Sequence, residues 1–438
     1  MPASSLLKAE ISADSLKKLV PSLPGKPSRG AGRSRSRTGT TLVGLDIQPG
    51  YVTAVQVRVN GKVEVQRAAG APLPPDTVRE GEVINTQALS ETLRELFHGA
   101  SLDRRVRVGV ANQRTVMRTL ELPPIAEGKE LATAVRFQAE DQIPMPLESA
   151  VLDYQTLGIV ETPTGQRQRV VVVAAQKDMV ERLMAAVRGA GLRPEGIDLS
   201  AFALIRSLHH AEEQREGRVL YLNVGGLTNM AIAEGTVCRF TRVASGGLES
   251  MAIAVAERNG IPLVQARDLL AAVDLSARPA PAVAEHAPAP APAEQPSAQS
   301  AAAVFTEAST LAEQPRAEEP AIAGEPPIAE EPSTEEPSAE QPRIDVRPVL
   351  TAGVREIASE VRNSLDFHRS QGGGGEVSTI VLSGAALQIA GFAEALGAEL
   401  SVPLVAQTVS LGDGVALGSV SPERLAVAAG LAVEEAPR

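Results

Sequence analysis

The chain has 438 residues, 2% aromatic residues, no Trp and a formal net charge of −11. This length exceeds one ordinary hydrophobic core, and the aliphatic, Gly-rich composition predicts an α/β protein of two or more lobes. The single cysteine, Cys238, excludes an intramolecular disulfide and favours a reducing compartment. No apolar run reaches the roughly 18 residues that a membrane span needs. The five histidines show no metal-ligand spacing, which argues against a metalloenzyme.

Charge is distributed unevenly along the chain. Residues 1–40 carry eight Lys or Arg against Glu10 and Asp14. Residues 277–343 contain twelve Glu and 13 Pro, with almost no large apolar side chains. Because such a composition buries too little surface to offset the entropy of ordering, we predict a flexible basic tail at 1–40 and a disordered acidic Pro/Ala/Glu insert at 277–343.

A strand, a tight turn and a second strand occur twice. The first copy is "LVGLDIQPGYVTAVQV" from Leu42, and the second is "VLYLNVGGLTNMAIAEG" from Val219. In each copy a β-branched run meets a short polar residue, Asp46 or Asn223, before a glycine-containing turn. Two such hairpins facing each other would form a cleft in which backbone amides approach phosphates and a carboxylate orders a hydrated metal.

Between and after the hairpins, helices and strands alternate. We predict helices near residues 86–97, 128–142, 177–190, 247–259 and 347–370, and Pro144 makes the end of the second of these at Ile143 the clearest boundary. The four glycines after the last helix lack a following Lys and predict a flexible turn rather than a phosphate loop.

A third candidate part of the cleft is "IVLSGAALQIAGF", residues 380–392, where a buried strand meets a Ser-Gly turn and a helix start. Such a turn would let the backbone approach a base and ribose. The two hairpins and this turn therefore make Asp46, Asn223, Gly225, Gly226, Ser383 and Gly384 candidate nucleotide-binding residues, and Asp46 is the candidate metal ligand. We identify no catalytic residue.

Five blocks follow one another along the chain: "LVGLDI", "IPMPLESAVLDYQTLG", "FTRVASGG", "VREIASEVRNSLDFHRSQ" and "IVLSGAALQIAGF". Together they resemble the PilM family of type IV pilus assembly proteins, relatives of FtsA in the actin-like ATPase superfamily, and the second and third are the most specific. The resemblance adds Gly246 and Gly247, the glycine pair of the third block, as candidate nucleotide-binding residues. The resemblance covers roughly residues 41–275 and 345–433. It implies an α/β, two-lobed actin-like ATPase fold with an extra subdomain of the kind found in FtsA and PilM.

The resemblance also implies a function. It predicts a cytoplasmic scaffold, peripheral to the inner face of the cell membrane, which binds the N-terminal tail of the bitopic membrane protein PilN in a groove beside the extra subdomain. Other pilus platform and motor proteins are implied partners, self-association stays open, and nucleic acid is not implied.

Each nucleotide motif departs from the family pattern. Gln48 and Thr53 stand where the family usually has Gly and Lys, and Asn223 stands where it has Asp. The family's Glu-x-x-Lys is replaced at Arg267 and Leu270, and its Gly-Gly turn is Gly384-Ala385. A neutral amide cannot order a hydrated metal as a carboxylate does. We therefore expect ATP and Mg²⁺ binding to be weak or lost.

The expected organisation divides the chain as follows: 1–40, flexible tail; 41–114, first half of subdomain 1A; 115–195, inserted subdomain 1C; 196–217, return to 1A; 218–276, lobe 2; 277–343, acidic insert; 344–405, lobe 2 continued; 406–438, C-terminal segment of lobe 1.

Two other classes share this fold. A membrane-attached, polymerising division protein of the FtsA type would need an amphipathic terminal anchor, and the C-terminal "VEEAPR" is not one. A sugar-kinase-like enzyme would need a catalytic Asp in the cleft and a sugar-binding signature, and the sequence provides neither.

Overall fold

The computed structural model describes residues 42–60, 62–126, 128–163, 165–210, 217–276, 344–370, 375–415 and 417–433. The predicted basic tail, the acidic insert and all of the glycine-rich turn except Gly375 lie outside these ranges. Within them, no helix combines the length and the apolar character that crossing a membrane requires.

The first lobe is built on a six-stranded sheet with the order β10-β6-β1-β2-β3-β16. Its strands are β1 (Val43–Gln48), β2 (Tyr51–Asn60), β3 (Lys62–Pro72), β6 (Arg105–Val110), β10 (Arg193–Leu199) and β16 (Ser410–Leu411), and a short hairpin of β4 (Val78–Arg79) and β5 (Glu82–Val83) follows β3. β1 pairs antiparallel with β2 and parallel with β6, as the predicted hairpin requires.

Helices cover both faces of this sheet. Helices α1 (Thr86–Ala100) and α3 (Lys177–Gly189) share one core with β1 and β6, while α4 (Ser200–Leu208) and α9 (Ala426–Leu431) share the other with β2 and β3. Helix α9 lies against the backbone of β1, since a Cβ on Gly44 would stand 1.8 Å from the carbonyl oxygen of Ala428. A glycine at this position allows the helix to pack this closely.

A buried ion pair joins the helices α4 and α9 to the sheet. Asp198, at the end of β10, is 1% exposed and accepts a hydrogen bond from Arg206 of α4. Arg206 also donates through Nε to the carbonyl oxygen of Gly430 at 3.0 Å. One guanidinium therefore connects β10, α4 and α9.

The second lobe is built on a five-stranded sheet with the order β13-β12-β11-β14-β15. Its strands are β11 (Arg218–Val224), β12 (Thr228–Glu234), β13 (Val237–Ala244), β14 (Val377–Ser383) and β15 (Leu404–Ala406). Helices α5 (Leu248–Asn259), α6 (Leu263–Ala271), α7 (Arg347–Ser370) and α8 (Phe392–Ala398) pack around it. Helix α7 has the predicted bounds, and β11 and β12 form the predicted second hairpin.

A small module, residues 115–176, projects from the first lobe. It consists of a three-stranded antiparallel sheet, β7-β9-β8, formed by β7 (Thr115–Leu122), β8 (Ala150–Thr162) and β9 (Gly165–Gln176), with helix α2 (Lys129–Gln142). Alternate residues of β9 face opposite ways: Val170 and Val172 lie under α2, whereas Val171 and Val173 join the core that contains α4 and α9. Helix α2 ends at Gln142, immediately before the predicted boundary at Ile143-Pro144.

Residues 177–195, which the predicted inserted subdomain at 115–195 also includes, contact the first lobe. Helix α3 packs on α1, and β10 pairs parallel with β6 of the six-stranded sheet. β9 runs directly into α3 at Lys177, without an intervening loop.

Candidate functional site

Except for Gly246, the predicted site residues meet where the sheets of the two lobes face each other. Asp46 lies near the end of β1, Asn223 near the end of β11, and Ser383 at the end of β14. The turn after β1, with Gln48, lies against the Gly225-Gly226 turn after β11. The structure therefore brings the two hairpins together, as the sequence predicted.

The Gln48 side chain bridges the two lobes. Its Nε2 donates to Oδ2 of Asp46 at 2.6 Å, and its Oε1 accepts from the backbone N–H of Gly226 at 2.9 Å. Both ends of the amide are thus used, one in each lobe. The turn amide of Gly226, which a phosphate oxygen would otherwise approach, is bonded to the protein itself.

The glycines of the second turn make room for the first turn. A Cβ on Gly225 would lie 2.1 Å from Oε1 of Gln48, and one on Gly226 would lie 2.3 Å from the carbonyl oxygen of Pro49. Gln48 and Pro49 therefore occupy the space that the glycines of the second turn leave free.

The space left beside Asp46, which we call the inner cavity, has a volume of about 10 Å³. A cavity of this size holds about one water molecule. It is lined by Asp46, Gln48, Tyr51, Thr53, Asn223, Gly225, Gly384, Ala385 and Arg424.

The surroundings of Asp46 raise the pKa of its carboxyl group. It is 4% exposed, and burial raises its pKa to about 6, although the hydrogen bond from Gln48 and the charge of Arg424 act in the opposite direction. Thr53, buried on β2, is its cross-strand partner. The carboxylate is thus ionised at neutral pH and takes up a proton near pH 6.

This arrangement does not fit a hydrated magnesium ion and nucleotide phosphates. Mg²⁺ requires near-octahedral oxygen coordination and usually retains several waters. Among the described residues that line the inner cavity, Asp46 is the only carboxylate, and the room is for about one water.

Asn223 and Ser383 connect two parallel strands. Nδ2 of Asn223 donates to Oγ of Ser383 at 3.1 Å, and that hydroxyl donates to the carbonyl oxygen of Leu222 at 3.4 Å. Both side chains are buried, and the two residues are register partners of β11 and β14. In this structure they hold the strand ends together.

The remaining predicted glycines have different surroundings. Gly384 has a φ of +103°, and a Cβ there would lie 2.4 Å from the carbonyl oxygen of Val224, so only glycine fits. Gly247 packs on the second turn, where a Cβ would lie 2.5 Å from the carbonyl oxygen of Gly226. Gly246 lines a separate cavity of about 360 Å³, with Asn112, Arg242 and Glu360, and is therefore not part of the inner cavity.

An ion pair that sequence reasoning did not identify lies on the other side of the first turn. Arg267 of α6 donates to both carboxylate oxygens of Glu249 of α5, and through Nη1 to the carbonyl oxygen of Leu73 in the first lobe at 3.3 Å. The sequence marked Arg267 only as a departure from Glu-x-x-Lys. The sequence did not indicate that Glu249 and Leu73 belong to the site, because these contacts arise only when the lobes meet.

A second missed pair is Tyr51 and Arg424. The guanidinium of Arg424 lies 4.2 Å from the centre of the Tyr51 ring, a cation–π contact. Burial lowers the pKa of Arg424, and the nearby Tyr51, Glu423 and Asp46 oppose the shift. The two residues are distant in sequence, and no motif joins them.

Beyond these pairs lies a larger space, which we call the outer cavity. It has a volume of about 600 Å³ and lies between residues 72–75 and Pro49 of the first lobe and helices α5 and α6 of the second. The cleft is therefore closed at its inner end and open at its outer end.

The chain is similar to several known proteins. A sequence profile described as type IV pilus assembly protein PilM matches residues 44–262. A solved structure described as a PilM-PilN type IV pilus biogenesis complex is 24% identical, with a TM-score of 0.62 over 89% of this chain and 97% of that one. The ethanolamine utilization protein EutJ from Carboxydothermus hydrogenoformans is 13% identical, with a TM-score of 0.44 over 96% and 94% of the two chains. MreB 5 of Spiroplasma citri bound to AMPPNP is 10% identical, with a TM-score of 0.42 over 89% and 94%. With its two-lobed actin-like ATPase fold and a profile match that covers half of its length, this chain belongs to the type IV pilus assembly protein PilM family.

Proposed function

We propose that this chain is a cytoplasmic actin-like scaffold of the type IV pilus assembly platform, peripheral to the inner face of the cell membrane. Its principal partner is the N-terminal cytoplasmic tail of a PilN-like bitopic membrane protein. Membership of the PilM family supports this role, and the related solved structure is described as a PilM-PilN complex. Other platform and motor proteins are further partners in this proposal.

The observation that carries the scaffold role, as opposed to an ATPase role, is the Gln48 bridge. Gln48 joins Asp46 of one lobe to the Gly226 amide of the other, at 2.6 and 2.9 Å. Nucleotide hydrolysis requires phosphates and a metal in this position. A cleft closed by its own side chain favours a protein that works through its surfaces.

The small module offers a surface for the partner peptide. Phe137 on α2 is 72% exposed and Ile159 on β8 is 58% exposed, the two most exposed large hydrophobic side chains among the described residues. Phe137 lies away from the buried face of α2, which is formed by Leu131, Val135 and Ala139. Exposed aromatic side chains are frequent anchors of protein interfaces. We place the peptide site at this module, with Phe137 as a contact.

Calorimetry with a synthetic peptide of the PilN-like protein's cytoplasmic tail tests the proposal. We expect binding by the full chain, and about tenfold weaker binding by Phe137→Ser, because loss of an aromatic anchor costs about 1 to 2 kcal/mol. The matched control is Phe367→Ser on α7 of the other lobe, where Phe367 is 48% exposed.

Two outcomes would contradict the proposal. Absence of measurable binding by the full chain would exclude the tail as the partner. Equal affinities of the Phe137→Ser and Phe367→Ser variants would place the site away from the outer face of α2.

A further inference from the structure

The cavity that Gly246 lines, which we call the side cavity, lies apart from the Gln48 bridge. Its volume of about 360 Å³ is within the roughly 300 to 1,000 Å³ of ligand pockets in general. The first lobe contributes residues 110–113 and Thr115, and the second contributes residues 241–246 with Glu356 and Glu360 of α7. The side cavity shares no lining residue with the inner or the outer cavity.

A buried amide lines the side cavity without a hydrogen-bond partner. Asn229 of β12 is 4% exposed, and neither its Nδ2 nor its Oδ1 bonds to another described residue. Asn223, directly opposite on β11, is by contrast bonded to Ser383. A buried polar group without a partner costs free energy. The Asn229 amide therefore has an acceptor and two donors that a molecule in the cavity could use.

The lining of the side cavity carries an uncompensated negative charge. Arg242 forms an ion pair with Glu360, with 2.8 Å between Nη2 and Oε2. Glu356, one turn earlier on α7, is exposed and has no hydrogen bond or ion pair with another described residue. These three are the charged residues of the lining, so their net charge is −1. The whole chain is also acidic, at −11, and a cation is therefore favoured over an anion.

Gly246 leaves the Glu356 carboxylate accessible. A Cβ at Gly246 would lie 3.5 Å from Oε1 of Glu356, and the nearest atoms around it would all belong to Glu356. Next to it, Oγ of Ser245 accepts a hydrogen bond from Nε2 of Gln113 at 3.1 Å, which joins the two lobes at the cavity.

An organic ammonium group fits this lining better than a metal ion. The described residues contain no group of three or more His, Cys, Asp or Glu that could hold a metal. An ammonium group needs hydrogen-bond acceptors, which the Glu356 carboxylate and the hydroxyls of Thr241 and Ser245 provide. The amide of Asn229 suits a group that both donates and accepts, as a hydroxyl does.

We infer that the side cavity is a binding site for a small hydroxylated primary amine of the size of an amino sugar. Glu356 binds the ammonium group, and Asn229 binds a hydroxyl group. The inference is independent of the proposed peptide partner, whose site we place on the small module.

Glucosamine and glucose form a matched pair of probes, since they share the ring and most hydroxyls and differ in the amine. At about pH 6.5 an amine with a pKa near that of an α-amino group is protonated. Calorimetry on the full chain at this pH should show glucosamine binding at least tenfold more tightly than glucose. Glu356→Gln should remove this preference, and Glu257→Gln, an exposed change on α5 outside the cavity, should retain it.

Two further variants locate the site. Gly246→Leu should abolish glucosamine binding, because the new side chain would extend over Glu356, and it should leave the thermal unfolding midpoint unchanged. Asn229→Ala removes no hydrogen bond of the free chain, and it should weaken glucosamine binding at least tenfold. Two positions are used so that the result stands if one substitution impairs folding.

The inference is overturned if glucosamine does not bind the unmodified chain, or if it binds no more tightly than glucose. It is also overturned if folded Gly246→Leu binds glucosamine as the unmodified chain does. Peptide affinity measured on the same samples keeps this result separate from the proposed function.

Discussion

The backbone amide of Gly226 in the second lobe donates a 2.9 Å hydrogen bond to Oε1 of Gln48 in the first. The same Gln48 amide donates to Asp46, so one side chain ties the two halves of the cleft together. A glycine, the residue that the PilM family usually has at position 48, could not make this bridge. The departure from the family pattern thus adds an interaction while it removes room for a ligand.

Gln48→Ala should reduce the free energy of unfolding by about 1 to 2 kcal/mol, because two hydrogen bonds are lost and the buried Asp46 loses a donor. Urea denaturation measures the change. The matched control is Gln87→Ala on α1, where an exposed Gln87 donates to Glu91 at 2.9 Å and little change is expected. Equal effects of the two substitutions would show that the bridge does not stabilise the closed cleft.

The stability of the protein should depend on pH through Asp46. Its pKa is about 6 in the folded chain and near 3.8 in the unfolded chain, so the folded state binds the proton more tightly. This contribution is complete below about pH 4 and is lost as pH rises through about 6, amounting to about 2 to 3 kcal/mol.

Asp46→Asn removes this titration. Relative to the unmodified chain, the variant should gain about 2 to 3 kcal/mol in free energy of unfolding between pH 4 and pH 6.5, as measured by urea denaturation at several pH values. The exposed Asp76→Asn provides the control. Parallel pH curves for the Asp46→Asn variant and the unmodified chain would be inconsistent with a buried, proton-binding Asp46.

Asp198→Ala should destabilise the chain by about 3 to 5 kcal/mol, because Arg206 would remain buried without its partner. Both side chains are at most 3% exposed. Asp366→Ala, which breaks an exposed pair with Arg369, should cost less than about 0.5 kcal/mol. Chemical denaturation of both variants measures the two losses in free energy of unfolding. Similar losses would contradict the structural role of the buried pair.

Gly430→Ala should destabilise the chain by about 3 kcal/mol or more, since the new Cβ would lie 1.8 Å from the carbonyl oxygen of Ala203. Gly99→Ala on α1 is the matched control, because a Cβ there meets nothing within 4 Å. The control should be neutral or stabilise by up to about 1 kcal/mol. A thermal midpoint for Gly430→Ala equal to that of the control would rule out the close contact between α4 and α9.

Local patterns predicted the elements of this fold well, and long-range contacts account for what they missed. Both hairpins and helix α7 follow from periodicity and turn residues, and Pro144 marks the end of α2. The sequence also identified Gln48 as an unusual residue in the first turn. It could not indicate that the Gln48 side chain bonds to Gly226, because nothing in either hairpin specifies how closely the lobes approach.

Contacts between residues far apart in sequence also form the junction of the small module with the first lobe and the residue pairs of the cleft. The return of the chain to the first lobe at Lys177 depends on α3 packing on α1, which involves residues far apart in sequence. Tyr51 with Arg424, and Arg267 with Leu73, likewise meet only in the folded chain. Apart from Arg267, which departs from Glu-x-x-Lys, each of these residues is unremarkable in its own segment.

The most direct test of the account is calorimetry of the full chain with the partner's cytoplasmic peptide, in the absence and presence of about 5 mM magnesium ATP, which would occupy most of a site with a Kd of 1 mM or less. A scaffold whose cleft is closed by Gln48 should bind the peptide with the same affinity in both conditions. Failure to bind the peptide, or an affinity that changes at least tenfold with magnesium ATP, would contradict the account.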